Sequence, residues 1–370
     1  MMRSLLALLF AGIVAAHAQQ VGQNASPRPG SVPTIFVSSQ LVIETVSVKD
    51  KNGKPITGLT AKDFTLTENG VPQTIHFCEH QDLPAEAPVT PAAQPVAGNL
   101  KVYYHLSSTQ IAPEPPGSTL YKNRRLLALY FDMTALPPSD QVRALEAAQN
   151  FIRLQMQPDD LVAILRYAGG GVDVLEDFSA DRTRLLSILQ TMIVGEGQAF
   201  AEAADDASSS DAGAAFGQDD SEFNIFNTDR QLAALQTAAK MLGRLSEKKS
   251  LVYFASGLRL NGLDNQAQLH ATINDAIRSG VSFWPIDARG LVAEAPLGDA
   301  TKGSQGNAGM YSGTAALAMT VNFQQSQDTL FTLASDTGGK ALLDYNDLTK
   351  GIRQAEQSVS SYYILGYYTT

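Results

Sequence analysis

Asp132 and Thr134 are the residues of this 370-residue chain whose types and spacing point most directly to chemistry. They follow Leu126-Leu-Ala-Leu-Tyr-Phe131, an unbroken apolar run with none of the alternation of a half-solvated strand. A run of this kind is expected of a strand buried on both faces of a parallel sheet. A carboxylate at its carboxyl end falls where open α/β sheets place their ligands. The Thr134 hydroxyl, two residues on, adds a second hard oxygen donor, and two such oxygens can share one divalent cation. The competing reading is a loop aspartate that caps nearby backbone N–H groups.

Other chemistry-bearing groups are weaker. His76, Cys78 and His80 alternate to one side of a strand while Ile75 and Phe77 take the other, so three zinc-ligand types project together. A tetrahedral site needs a fourth ligand, and solvent-side strand residues beside a partly covered thiol are the favoured reading. Gly169-Gly-Gly171 lacks the Lys and Ser/Thr of a phosphate-binding loop and reads as a turn. Ser256-Gly257 follows an apolar strand in the manner of a nucleophile elbow, but Phe254 stands where the elbow has glycine. Only His270 follows it, inside the next helical stretch, so a serine hydrolase is the least favoured function. Residues 195–227 carry eight acidic residues and no Lys or Arg, without the spacing of an EF-hand loop. They are expected to form a disordered, solvated insertion.

Alternating elements surround Asp132. A helix through about Gln157, with Ser139 as N-cap and Val142, Leu145, Ala148 and Ile152 on one face, follows it. Strands are expected at Leu161–Arg166, Val172–Glu176, Leu251–Ala255, Val281–Asp287 and Ala341–Leu343. Asp181 should cap a helix carrying Leu185, Leu189 and Met192. Thr228 should open one carrying Leu232, Leu235, Ala239, Leu242 and Leu245. Further helices are expected over about 265–279, 328–337 and 347–358. This order predicts an α/β fold with a doubly wound, mostly parallel six-stranded sheet. Ahead of it, short strands between residues 35 and 77 with Asn-Gly turns at 52–53 and 69–70 predict a small β module.

The loop after the first strand resembles that of the von Willebrand factor type A family, whose Asp-x-Ser-x-Ser motif helps to hold Mg²⁺ or Mn²⁺. More narrowly, the chain resembles the acidobacterial VWFA-related proteins. Its stretch from Asp50 through Gly53, Pro55 and Gly58-Leu-Thr to Asp63-Phe64, followed by Glu68-Asn-Gly-Val-Pro-Gln73, matches the β-sandwich-like module that precedes the A domain there. The resemblance implies Asp132, Thr134 and Thr228 as metal residues. Leu136 stands where the motif's third position offers a hydroxyl, and Ser256 where the family has the Asp of Thr-Asp-Gly, so the implied site is degenerate. It implies an adhesion or assembly module that binds a protein partner through loops at the carboxyl ends of the strands. A ligand-free structural component of the cell envelope is the alternative.

Met1 to Ala18 has one positive charge, a short apolar run and Ala16-His17-Ala18 before Gln19, which predicts a secretory signal peptide and a secreted or periplasmic protein. Its removal would take the formal net charge from −10 to −11, Arg3 being its one charged residue. That charge, with no run of Lys and Arg to offset it, disfavours nucleic acid and anionic membranes as partners. No membrane insertion is expected once the signal is removed, and the oligomeric state is left open. One cysteine excludes an intramolecular disulfide. The domain reading is signal peptide 1–18, β module 19–82, Pro/Ala-rich linker and connecting segment 83–117, α/β domain 118–361 and a terminal strand 362–370 that would open further β structure. Asp132→Ala is expected to leave stability nearly unchanged, because a loop carboxylate contributes little burial.

Overall fold

The computed structural model describes residues 41–51, 54–83, 108–113, 119–197, 217–245, 247–291 and 314–368. The signal peptide, residues 35–37, the first Asn-Gly turn, nearly all of the linker, residues 198–216 of the acidic insertion and most of the loop after residue 291 lie outside these. No helix among the described residues is long and apolar enough to cross a membrane.

The expected first strand is β5 (Arg125–Asp132), preceded in the chain by β1 (Leu41–Val46), β2 (Leu66–Glu68), β3 (Val71–Gln73) and β4 (Ile75–Asp82). Every residue of β5 is buried. It is the middle of a five-stranded sheet whose other members are β6 (Asp160–Tyr167), β7 (Val172–Ser179), β8 (Lys249–Ala255) and β9 (Val281–Asp287), in the order β7-β6-β5-β8-β9. β6, β5, β8 and β9 are parallel, and β7 runs back along the edge as an antiparallel strand.

Alternation along β5 sorts its side chains into two cores. Leu127, Leu129 and Phe131 pack with α1 (Pro138–Leu154), α2 (Arg182–Thr191) and α6 (Thr349–Ser358). Leu126, Ala128 and Tyr130 pack with α3 (Gly217–Leu242), α4 (Gly262–Arg278) and α5 (Thr314–Asp336). Helices therefore cover both faces, as a parallel sheet requires. The fold is α/β with a mixed sheet of five strands, not six. The expected strand at 341–343 contributes one parallel bridge, Leu342 to Ile286. Gly338 and Asp344, both in the left-handed region, turn the chain on either side of it, and no longer ladder can form.

Local expectations fared unevenly. Asp181 caps α2 by accepting from Arg184 N at 3.1 Å. Asn69 and Gly70 both have positive φ, the requirement of a tight Asn-Gly hairpin between β2 and β3. α1 starts two residues earlier than expected, with Pro138 at N1, where its missing N–H costs nothing, and Pro137 as the cap residue in place of Ser139. Val142 faces solvent while Gln141 and Ala144 turn inward. α3 begins at Gly217, so Thr228 lies within a helix instead of opening it, and the insertion is shorter than 195–227.

The terminal strand finds both its neighbours in this chain. β10 (Ser361–Tyr368) lies between β1 and β4 in a three-stranded antiparallel sheet. Tyr363 ties this sheet together: its hydroxyl donates to Ile56 O (2.8 Å) and accepts from Leu59 N (3.1 Å), and its ring stacks on His80. His76 packs edge-on against Tyr368. The two histidines are thus engaged with separate tyrosines, and no three His, Cys, Asp or Glu among the described residues are grouped to hold a metal.

At the amino end of β5, Arg125 lies 2.6 Å from Asp160 and 3.4 Å from Glu356, all three buried. One guanidinium cannot fully offset two desolvated carboxylates. Burial, followed by the charge of Asp160, pushes Glu356 up to about 7. Between its ordinary 4.5 and about 7, the folded protein holds a proton at Glu356 that the unfolded chain has released. This contribution is complete below the lower value and is lost as pH rises through the upper one. Melting temperatures measured from pH 4.5 to 7.5 are expected to fall with pH in the wild type and to fall less steeply in Glu356→Gln, which mimics the protonated acid. Identical slopes would rule out this role for Glu356.

Candidate functional site

Asp132 ends β5 on the face covered by α3, α4 and α5. The chain turns at once, and its first N–H groups fold back on the carboxylate. Oδ1 accepts from Thr134 N (3.0 Å), Thr134 Oγ1 (2.6 Å) and Ala135 N (3.1 Å). Oδ2 accepts from Tyr253 Oη on β8 at 3.2 Å. Asp132 is fully buried, and burial pushes it up to about 6 against the pull of these four hydrogen bonds. Tyr130 stands beside it, edge-on to Tyr253 at 5.7 Å, with its hydroxyl unpartnered. Burial, with Asp132 behind it, drives both tyrosines well above the ordinary 10.

Thr134 Oγ1 gives its proton to Asp132 and accepts from Gln231 Nε2 on α3 at 3.2 Å. Thr228, one helical turn earlier, donates instead to Arg259 O at 3.1 Å. Asp132 and Thr134 are therefore in direct contact, and Thr228 bonds to neither. Gln231 is the residue of that helix that reaches the loop.

Both positions that depart from the motif have structural partners. Leu136 is fully buried in the core beneath α1, so a serine there would empty apolar volume instead of merely restoring a hydroxyl. Ser256 donates to Asp140 Oδ2 at 2.6 Å, and its N–H bonds Ala135 O at 3.3 Å. A carboxylate thus does meet position 256, but it comes from the first turn of α1, where the helix dipole favours it. Gln141 completes the frame: Nε2 donates to Leu136 O (2.9 Å) and Met133 O (3.2 Å), and Oε1 accepts from Gly195 N (2.8 Å).

Tyr253, Asp140, Gln141 and Gln231 were not singled out in the sequence. Tyr253 sits in an apolar strand where it reads as core, and the others read as ordinary helix residues. The periodicity that buries Gln141 beside Ala144 was the one available signal.

Such a donor set suits a divalent cation poorly. An octahedral ion needs oxygen lone pairs pointing at open space or water. Here the Asp132 oxygens receive four hydrogen bonds, and the Thr134 hydroxyl oxygen accepts one from Gln231. A second pair of loops is closed in the same way. Asp287, at the end of β9, takes both nitrogens of the Arg289 fork at 2.9 and 2.7 Å, and Arg289 also donates to Ser326.

No family model matches the chain, and no curated protein matches it. Among solved structures it is similar to an aerotolerance-related membrane protein from Bacteroides fragilis bearing multiple mutations to serine, at 12% identity and a TM-score of 0.37, over 63% of this chain and 98% of that one. It is also similar to proximal thread matrix protein 1 from the mussel byssus, at 10% identity and a TM-score of 0.33, over 64% of this chain and 48% of that one. Overlaps as loose as these carry no argument about function.

The buried network reverses the expectation for Asp132→Ala. Truncation would strand two backbone N–H groups and a tyrosine hydroxyl, each costing about 1–3 kcal/mol. A loss of roughly 3 kcal/mol or more is expected, or about 6–12 °C in Tm for a domain of this size. Asp132→Asn keeps an oxygen for the three donors of the loop and should cost far less. Thermal melts of the two variants side by side are the check, and equal, negligible losses would contradict the network.

Proposed function

We propose that this chain is a von Willebrand factor type A-like module, secreted or periplasmic, that binds a protein partner through the loops at the carboxyl ends of β5, β8 and β9. The observation that carries the reading is a set of large apolar side chains left in water at this end of the sheet, three of them the most exposed or nearly so among the described residues, while others such as Phe331 and Leu120 are exposed elsewhere. Ile193 follows α2, Leu263 opens α4 and Leu291 follows β9, and they are 69%, 81% and 67% exposed. Phe226 on α3 is 56% exposed. Exposed apolar groups on scaffolded loops are the usual material of a recognition surface.

These loops are held, not loose. Gly195 is bonded to Gln141, Leu291 N donates to Asn346 Oδ1 at 3.1 Å, and Asn265 Nδ2 donates to Ile225 O at 2.9 Å and to Asp229. Preorganised loops lower the ordering cost of association. The closed hydrogen bonding around Asp132, Thr134 and Thr228 favours recognition without Mg²⁺ or Mn²⁺. A serine hydrolase is less well supported, because the Ser256 hydroxyl is engaged by a carboxylate and His270 lies exposed on α4. A structural envelope component without a ligand would leave the apolar rim without a role.

Quantitative pull-down from the envelope fraction tests both parts. Ile193→Asp and Leu263→Asp, being exposed, should melt within about 1 °C of wild type and lose the partner that the wild type retains. Retention by both variants would refute the rim as the binding face. Calorimetry with Mn²⁺ on wild type should give no binding heat, and a saturable heat abolished in Asp132→Asn would reinstate the metal-dependent form.

A further inference from the structure

Among the described residues, β1 has a neighbouring strand on one side only. It pairs with β10 without a bulge, from Leu41 opposite Tyr368 to Val46 opposite Tyr363, and its other edge is open. The remaining sheet edges are covered or guarded. Ser108 bridges Val174 on β7, and Leu342 bridges Ile286 on β9. β4 meets β10 through a bulge at Gly366 and Tyr367 and carries Glu79 and Asp82. β2 and β3 are three residues long, and β3 contains Pro72. Short strands, bulges, charges and proline are the usual protections of an edge. Leu41-Val-Ile-Glu-Thr-Val46 has no proline, no lysine and a single charge.

The open edge also borders an apolar strip. Residues directly opposite in a sheet share a face, so Leu41 and Tyr368 form one row, and Ile43, Gly366 and Phe77 the next. The Phe77 ring fills the place where a Cβ at Gly366 would stand, so the strip runs from Phe77 across β10 to Ile43. Ile43 is 52% exposed, and Leu41, Phe77 and Tyr368 are exposed as well. The other face of the same sheet is occupied: Tyr363 bonds there to Ile56 and Leu59 and packs against Phe64.

We propose that β1 is the contact of a homodimer, in which two copies pair antiparallel at this edge and join their three-stranded sheets into one of six strands. Such an interface is isologous, so the strand must complement itself. A two-fold axis normal to the sheet keeps Leu41, Ile43 and Thr45 of both copies on one face, which restricts the register to those centred on a residue. Centred on Glu44, the two carboxylates would stand directly opposite and repel. Centred on Ile43, Glu44 of each copy faces Val42 of the other, Leu41 faces Thr45, and Ile43 faces Ile43. No like charges then meet, and the row from Phe77 through Gly366 to Ile43 continues unbroken into the second copy. This self-complementarity favours a second copy over an extended segment of another protein. Long-range repulsion at −10 per copy and an interface below the standard size make the dimer a weak one, in the micromolar range.

Sedimentation equilibrium of the whole chain, from low to high micromolar concentration, is the test. Wild type should shift from the mass of one chain toward that of two. Ile43→Lys puts a guarding charge at an exposed position, so it should melt close to wild type and stay monomeric throughout. Cross-linking reads the register. Under mild oxidation Ile43→Cys should form a disulfide-linked dimer through position 43, because directly opposite residues lie within reach of a disulfide. Thr45→Cys, whose two copies would be offset along the strands, should not, and peptide masses separate these links from any through Cys78. A wild type that stays monomeric overturns the proposal and leaves the edge to a strand of another protein. A dimer that survives Ile43→Lys, or Thr45→Cys linking as readily as Ile43→Cys, overturns it equally.

Discussion

Burial of β5 on both faces is the constraint on which the rest of the molecule depends. A strand with no solvated side must have hydrogen-bonded strands at both edges and helices on both faces, and this chain supplies β6 and β8 beside it and two sets of three helices around it. The polar residues that bound the strand are then buried with it. Arg125 at one end and Asp132 at the other cannot reach water, so each must find partners within the protein. Arg125 recruits Asp160 from β6 and Glu356 from α6. Asp132 recruits its own loop and Tyr253 from β8. Both clusters therefore tie β5 to its neighbours at defined heights, which helps to fix the parallel register.

These clusters show how far the sequence could be read. The position of Asp132 was legible, because an unbroken apolar run ending in a carboxylate has few structural meanings. So were the two-sided helices, whose apolar residues recur at helical spacing, as with Leu232, Leu235, Ala239 and Leu242. The partners were not legible, since Tyr253, Asp140 and Gln231 meet Asp132, Ser256 and Thr134 only after strands and helices separated by up to about 120 residues have packed. Strand count failed for a related reason. Ala341-Leu-Leu343 has the composition of a strand, but strand length is set by how long the backbone stays beside its neighbour, and left-handed residues on both sides limit that to one bridge. The place of β10 depends likewise on a pairing across nearly the whole chain, with Leu41 opposite Tyr368.

Charge has a similar history. Read along the chain, no cluster of Lys or Arg offsets the acidic composition, and exclusion of polyanions follows. In three dimensions the state of a single cation is set locally: Lys249 is buried, its amine donating to Leu245 O at 2.6 Å and pushed down by burial to about 7. Net charge governs long-range encounter, whereas a short-range site is governed by the few groups around it, since charges beyond about 10 Å are screened at ordinary salt.

At the opposite end of the sheet, the departures at Leu136 and Ser256 bear on the same balance of local charge. Leu136 is committed to the core beneath α1, so its loss would cost packing whatever it restored to a metal site. Ser256 spends its proton on Asp140, and Thr134 spends its own on Asp132. For a cation to enter, Asp132 would have to release donors that satisfy it at full burial, and the loop held by Thr134 and Ala135 would have to open. A carboxylate pushed up to about 6 still carries its charge near neutral pH, and it is those hydrogen bonds that keep the charge tolerable. Their removal in favour of a partly hydrated ion would exchange a closed network for an open one. The same closure that resists a cation holds the loop in place, and a loop so held has little ordering left to lose in any association.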